Sequence, residues 1–256
     1  MPPSPIRKLA PLANAAKSRG VKVYHLNIGQ PDLETPEPIR ARLSTITEKT
    51  YAYSPSEGTP EYLDSLRQYY HKRGIDLKPG QIIATTGGSE AVQFALMAVG
   101  DPGDEVMVVE PFYTNYRSFA AMAGMKLNTL TAHGDDGFHA PPLSVWEKAL
   151  TEKTRAVLLC NPSNPTGTVF SREEVVMVAQ FCRDHGLFLI SDEVYREFVY
   201  DGREATSALN LAGFVEIVIV GDSLSKRYSA CGIRLGSIAS RNSEVMDTMN
   251  RLAMGR

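Results

Sequence analysis

The sequence predicts an α/β fold, a three-layer αβα sandwich in which helices cover both faces of a mostly parallel sheet. Three observations predict it. From about residue 80, short apolar runs alternate with stretches of helical periodicity. Helix start and stop signals punctuate those stretches. Polar clusters recur where the apolar runs end, and ligands of open α/β sheets bind at the carboxyl ends of the strands.

Residues 1 to about 48 read as an arm that Pro11, Pro31, Pro36 and Pro38 interrupt, with residues 21–28 as its one strand candidate. The arm leads into Gly29-Gln30-Pro31-Asp32, where a glycine before a Pro-Asp turn either makes a plain turn or lets backbone approach another group closely. Tyr51-Ala52-Tyr53-Ser54-Pro55 follows. Thr59 as N-cap and Pro60 at the first helical position start a helix carrying Leu63, Leu66 and Tyr70, and Gly74 stops it. Residues 81–85 form a strand, 87–90 a turn and 91–99 a helix. Residues 105–109 are the next strand, then comes Pro111-Phe112-Tyr113 and a helix through about 123. Residues 126–131 are a further strand, 133–137 a turn and 145–150 a short helix. Strand 155–160 closes in Asn161-Pro-Ser-Asn-Pro-Thr-Gly167. Ser171 and Glu174 form a capping box for a helix with Val175, Val178, Ala179 and Cys182 on one face, ended by His185-Gly186. Residues 187–190 are a buried strand ending in Ser191-Asp192. Residues 217–220 are another buried strand, running into Ser223-Leu-Ser-Lys226, with Arg234 following in Gly232-Ile-Arg-Leu-Gly236. There is no internal repeat and no low-complexity segment.

Composition excludes several functions. The 256 residues are 43% hydrophobic and 22% charged, and 27 Lys+Arg against 29 Asp+Glu give a net charge of −2. That balance offers no case for nucleic acid or an anionic membrane. No apolar run is long enough to span a bilayer. The start, Met1-Pro2-Pro3-Ser4-Pro5, lacks the hydrophobic core of a signal peptide, and three widely spaced cysteines suit a reducing compartment. The expected location is cytoplasmic.

Lysine prefers to keep its ammonium in water, so Lys226 at the end of a buried strand is either an ordinary loop lysine or a desolvated amine fit for Schiff-base chemistry with an aldehyde. Ser223, Ser225 and Arg234 are suited to hold an anion beside it. Together they suit pyridoxal phosphate, an aldehyde carrying a phosphate. Gly88-Ser89-Glu90 opens a helix, where free N–H groups and the helix dipole favour phosphate, although most such turns are only caps. Asp192 ends a buried strand, where a carboxylate either seeks a cation or caps the next helix. Tyr113 and Tyr195 are either core or partners for a flat ring.

The segments Asn161–Gly167, Ser191-Asp-Glu-Val-Tyr195 and Ser223–Lys226 with Gly232–Gly236 resemble the class I/II aminotransferases, the aspartate-aminotransferase-like, fold type I group of pyridoxal phosphate enzymes. The resemblance runs from about Leu26 to the end of the chain. It implies a large cofactor domain over residues 49–256, with residues 1–48 an arm and part of a small domain that is otherwise incomplete. It implies an aminotransferase acting on an L-amino acid, aspartate-like as a first guess, and a 2-oxo acid. Lys226 would form the internal aldimine and shuttle the substrate α-proton. Asp192 would pair with the protonated pyridine nitrogen, and Asn164 and Tyr195 would hydrogen-bond the phenolic oxygen. Tyr113 would stack on the ring. Gly88, Ser89 and Glu90 would offer N–H groups to the phosphate, joined by Ser223, Arg234 and, more weakly, Ser225. Tyr53 would reach the neighbouring subunit's phosphate in a homodimer. Gly29 would approach the substrate carboxylate, and Asn164 would also face the substrate.

Members of that family continue past Met254-Gly255-Arg256, where this chain stops within an apparent helix, and the continuation supplies an arginine for the substrate α-carboxylate. The chain is therefore expected to be a fragment or a truncated protein that holds the cofactor better than it transaminates. Competing readings are a β-eliminating lyase on the same fold and a cofactor-binding protein without turnover. Gly221-Asp222-Ser223-Leu224 spells a serine-esterase signature, but no histidine follows His185 to activate the serine. His133, Asp135, Asp136 and His139 read as a surface turn between glycines, and no metal is expected.

Overall fold

The computed structural model describes residues 7–256; the opening residues 1–6, including the proline-rich start, lie outside the described residues. One sheet holds seven strands: β1 (Ile82–Thr85), β2 (Glu105–Glu110), β3 (Lys126–Thr131), β4 (Thr154–Cys160), β5 (Phe188–Asp192), β6 (Val218–Ser223) and β7 (Gly236–Ser240). Their spatial order is β1-β7-β6-β5-β4-β2-β3. All neighbours pair in parallel except β7, which runs antiparallel to both β1 and β6. The carboxyl ends of the other six strands therefore share one edge, and the start of β7 returns to that same edge.

A sheet covered on both faces needs apolar side chains on both, and the strands supply them. Val106 and Val108 enter one core with Leu96, Phe119, Ile190, Ile219, Ile238 and Met249. Met107 and Val109, pointing the other way, join Tyr70, Trp146, Val178, Leu189 and Val220. Helices α4 (Gly87–Val99), α5 (Tyr116–Met122) and α9 (Ser243–Met254) cover the first face. Helices α3 (Pro60–His71), α6 (Leu143–Ala149) and α7 (Arg172–Asp184) cover the second. The three-layer αβα architecture is thus present. None of the helices among the described residues is long and apolar enough to cross a membrane.

The start signals act as expected. Thr59 Oγ1 accepts the Tyr62 N–H, and Pro60 opens α3. At α7 the Ser171 hydroxyl accepts the Glu174 N–H, while Glu174 Oε2 accepts the Ser171 N–H at 2.7 Å. The same carboxylate accepts the Ala140 N–H at 2.8 Å and pairs with His139, so it clamps the chain before α6 onto α7. The 133–137 segment folds as a turn around a short 3-10 helix (Gly134–Asp136), and no metal-binding cluster occurs among the described residues.

Three expectations need correction. Residues 21–28 form no strand: no strand pairs with them, the Val21 N–H bonds back to the Ala16 carbonyl of α1, and Leu26 is 96% exposed. The arm is partly helical instead, with α1 (Ala10–Ser18) and α2 (Glu37–Ser44). Pro11 and Pro38 occupy their first turns, where the missing N–H is harmless, so these prolines start helices rather than break them. Residues 87–90 are the first turn of α4, because Gly87 tolerates a φ of +75° there. The final helix, α9, ends at Met254, with the Gly255 N–H bonded back to the Leu252 carbonyl.

Ser171→Ala removes one cap interaction and should cost ~1 kcal/mol, whereas Glu174→Ala also releases residues 139 and 140 and should cost more. Urea denaturation of both variants checks this; equal midpoints would show that the clamp contributes nothing.

Candidate active site

The shared strand edge gathers most of the sequence-predicted residues. Cys160 is registered against Asp192, and Asp192 against Gly221, so the Asn161 loop, Asp192 and the β6 terminus lie on three adjacent strands. Immediately after β6, Ser223 caps a single-turn helix, α8 (Leu224–Arg227), through its hydroxyl, which accepts the Ser225 N–H at 3.1 Å. That turn lifts Lys226 off the sheet edge. The Lys226 ammonium donates to the Gly29 carbonyl and lies 4.0 Å from Cys231 Sγ. The arm also touches this loop through Thr35, whose hydroxyl donates to the Ser229 carbonyl at 2.6 Å. Gly29 thus meets the lysine through its carbonyl in this structure.

Asp192 is buried, and the groups that donate to it are neutral. Oδ2 accepts the Tyr116 hydroxyl at 2.7 Å, and Oδ1 accepts the Val194 N–H at 3.3 Å. Among the described residues it forms no ion pair. Loss of water pushes its pKa up to about 6, with the Asp222 and Glu193 charges adding to the rise and the two hydrogen bonds opposing it. A buried carboxyl without a cation is chemically suited to a cationic ligand atom. Beside it, Asn164 Nδ2 donates to the Tyr195 hydroxyl at 3.4 Å. Burial pushes the Tyr195 phenol up to about 12. Tyr113 stands edge-on to Tyr116, with ring centroids 5.5 Å apart, and its hydroxyl accepts from Asn115.

The start of α4 and Arg234 form a group suited to an anion. The first-turn N–H groups of α4, at Gly87, Gly88, Ser89 and Glu90, have no intrahelical acceptors. The Arg234 guanidinium lies over Gly87 and donates to the Thr86 carbonyl at 3.3 Å. A side chain at Gly87 would meet that guanidinium at 2.7 Å. At Gly236, a Cβ would strike the Asp222 carbonyl and the Gly87 backbone at 2.7 Å each, so only glycine lets β6, β7 and the start of α4 converge here. The Ser223 hydroxyl also bonds Ser225 Oγ at 2.9 Å, so these two side chains form one unit.

Sequence reasoning missed the layer behind these residues. Glu193 is buried and accepts from Arg196, Ser191, Ser207 and the Ala208 N–H. Asp222 pairs with Arg227 through both carboxylate oxygens, at 2.9 and 2.7 Å. Tyr69 of α3 lies against the guanidinium groups of Arg73 and Arg227. Acidic and basic residues next to Asp192 and Lys226 were visible in the sequence, but nothing local showed that they turn inward together. Tyr53 is fully exposed and lies apart from this constellation in the single chain.

The fold and its edge define a protein of the class that binds a ligand at the carboxyl ends of a doubly covered sheet, and the family follows from comparison. The chain belongs to the family described as aminotransferase class I and II, whose profile matches residues 21–255. That family depends on pyridoxal phosphate. An aspartate aminotransferase of Bacillus subtilis is 30% identical over 254 residues, covering 98% of this chain and 64% of the relative. Aromatic-amino-acid aminotransferase 2 of Thermococcus litoralis is 34% identical, covering 93% of this chain and 61% of the relative. Among solved structures, the Thermotoga maritima aspartate aminotransferase superimposes with a TM-score of 0.92 at 30% identity, covering 99% of this chain and 68% of that one. The chain spans about three fifths of the length of the curated relatives it matches.

The Asp192 environment has a pH consequence. Its pKa is raised on folding from 3.8 to about 6. It therefore favours folding fully below pH 3.8, and that contribution, on the order of 3 kcal/mol, is lost as pH rises through about 6. Asp192→Asn should flatten this part of the stability profile in the cofactor-free chain, measured by urea denaturation from pH 4 to 7. Superimposable profiles would show that the carboxyl is not perturbed.

Proposed function

We propose that this chain holds pyridoxal 5′-phosphate at the carboxyl edge of its sheet, attached through Lys226, and belongs to an aminotransferase moving an amino group between an L-amino acid and a 2-oxo acid. The observation that carries this reading is the placement of a cation-free buried acid, Asp192, and Lys226 at adjacent strand ends, with the α4–Arg234 anion cradle beyond them. An aldehyde, a basic ring nitrogen and a phosphate match those three features in kind. When bound, the cofactor supplies an electron sink for the substrate α-carbon.

The chain's own residues divide the work. Asp192 would hold a proton at the ring nitrogen, and Asn164 and Tyr195 would bond the phenolic oxygen. Tyr113 would stack on the ring. The N–H groups of Gly88, Ser89 and Glu90, with Ser223, Ser225 and Arg234, would neutralise the phosphate. Lys226 would take and return the proton at the substrate α-carbon. Gly29 and Asn164 would face the substrate carboxylate. An aspartate-like amino donor is the preferred reading, supported by the names of several relatives.

We further assign residues 49–256 to the large cofactor domain and 1–48 to an arm shared with the small domain. Leu12, Tyr24, Leu26 and Leu33 are exposed along that arm, and Tyr51 and Tyr53 just after it. Such a run of apolar surface suits burial against a second copy, with Tyr53 reaching the partner's phosphate. The free cysteines suit a cytoplasmic setting.

Two experiments test these assignments. Incubation with pyridoxal phosphate, borohydride reduction and peptide mapping should place the pyridoxyl group on Lys226, with no attachment in Lys226→Ala; labelling spread over surface lysines would overturn the site. Mixing Lys226→Ala with Tyr53→Ala subunits should restore tight cofactor binding at about half of the intact lysines, because each mixed dimer rebuilds one site. Unimproved binding would exclude a contribution across subunits.

A further inference from the structure

Tyr116 has no part in the functions assigned so far, although its hydroxyl makes the shortest contact to the Asp192 side chain, at 2.7 Å. It is 1% exposed and belongs to α5, whose backbone anchors it through the Tyr116 N–H bond to the Tyr113 carbonyl. Its ring is fixed from three sides: stacked on Phe112 at 6.4 Å, edge-on to Tyr113 at 5.5 Å, and against Phe119 at 6.4 Å. The confined phenol is held against Asp192, with the Cys160 thiol also within its hydrogen-bonding reach.

Direction matters as much as contact. Burial, and then the Asp192 charge, push the Tyr116 phenol well above its ordinary value, so it keeps its proton and donates it. The other groups facing Asp192 are Cys160 from β4, Asp222 from β6, Glu193 beside it in the chain and Tyr195, whose hydroxyl accepts from Asn164. Burial likewise pushes the Cys160 thiol up, and its Sγ donates to the Pro162 carbonyl. The acids repel charge on Asp192. Tyr116 is therefore the one side chain in this set that donates to the carboxylate.

We propose that Tyr116 is a positioning residue for Asp192: its hydroxyl fixes the orientation of the carboxylate and favours the ionised form, so that the proton shared with a cofactor ring resides on the ring nitrogen. This rests on the proposed cofactor reading. Without the hydroxyl, a desolvated Asp192 would hold the proton more strongly itself, and the ring would lose part of its positive charge.

The test uses the full chain, with and without cofactor. In the cofactor-free protein carrying 13C-carboxyl-labelled aspartate, Asp192 is assigned by its loss in Asp192→Asn. Tyr116→Phe should raise its titration midpoint by about one pH unit, a tenfold shift; an unchanged midpoint overturns the proposal. In protein loaded with 15N-labelled pyridoxal phosphate, Y116F should move the ring-nitrogen resonance toward that of a neutral pyridine. A moved midpoint with an unmoved nitrogen overturns the role toward the cofactor. A moved midpoint in a chain that binds no cofactor leaves the Tyr116–Asp192 link standing and instead defeats the functional reading. Tyr116→His, which retains an N–H donor, should stay near wild type in both signals, while Tyr116→Met serves as the apolar variant if Y116F does not fold. His and the apolar variants behaving alike would also overturn the proposal.

Discussion

Burial of a carboxylate at the end of a central strand is the constraint to which the rest of the site responds. Removing such a group from water is strongly unfavourable unless donors or a cation answer it. Two consecutive acids at the β5 terminus, Asp192 and Glu193, meet this demand differently. Glu193 is satisfied within the chain by Arg196, two serine hydroxyls and a backbone N–H. Asp192 receives neutral donors alone, from Tyr116 and Val194. Successive side chains of a strand point to opposite faces, so one acid is placed to support the fold and the other to meet a ligand. Burial raises the Asp192 pKa to about 6, because these donors offset only part of the lost hydration.

The buried charges behind the edge explain how a lysine on a single helical turn is held in place. A four-residue helix has too few internal hydrogen bonds to be stable alone. Here α8 is tied to β6 at both ends, by the Ser223 cap at its start and by the two-oxygen Asp222–Arg227 pair at its end. Arg227 is the residue after Lys226, so orientation of one constrains the other. Arg196 lies 3.8 Å from Asp222 and joins this pair to Glu193, coupling the β5 and β6 termini. Buried ion pairs contribute little net stability, but a network that crosses three elements fixes their relative positions.

Much of this was legible in the sequence where local chemistry determines the outcome. The β3 limits, the α3 and α7 caps and the clustering of polar residues at strand ends followed from periodicity and capping. Legibility failed where tertiary partners decide. Residues 21–28 have strand-like composition without a pairing neighbour. Strand β7, Gly-Ser-Ile-Ala-Ser, is short and rich in small residues, and its antiparallel insertion between β1 and β6 depends on contacts far away in sequence. Tyr116 carries no local signal, because its acceptor lies 76 residues downstream. Gly236 was visible only as part of a motif; its necessity lies in the approach of the Asp222 and Gly87 backbones.

The acid at Glu90 bears on the cradle as well, because a carboxylate in the first turn of α4 would repel a phosphate there. Its charge is taken up locally: Oε2 accepts the Thr86 N–H at 2.7 Å and pairs with Arg256. Arg256 is itself held by the Ala84 and Ser56 carbonyls, so the pair has a fixed place beside the β1 terminus. The Thr86 N–H, which precedes the helix, is thereby satisfied without using the N–H groups of Gly88 and Ser89. Those groups and the exposed Arg234 guanidinium keep their positive potential at the cradle. The Glu90 side chain thus braces the turn, and its charge does not oppose the proposed use of its backbone N–H for anion binding.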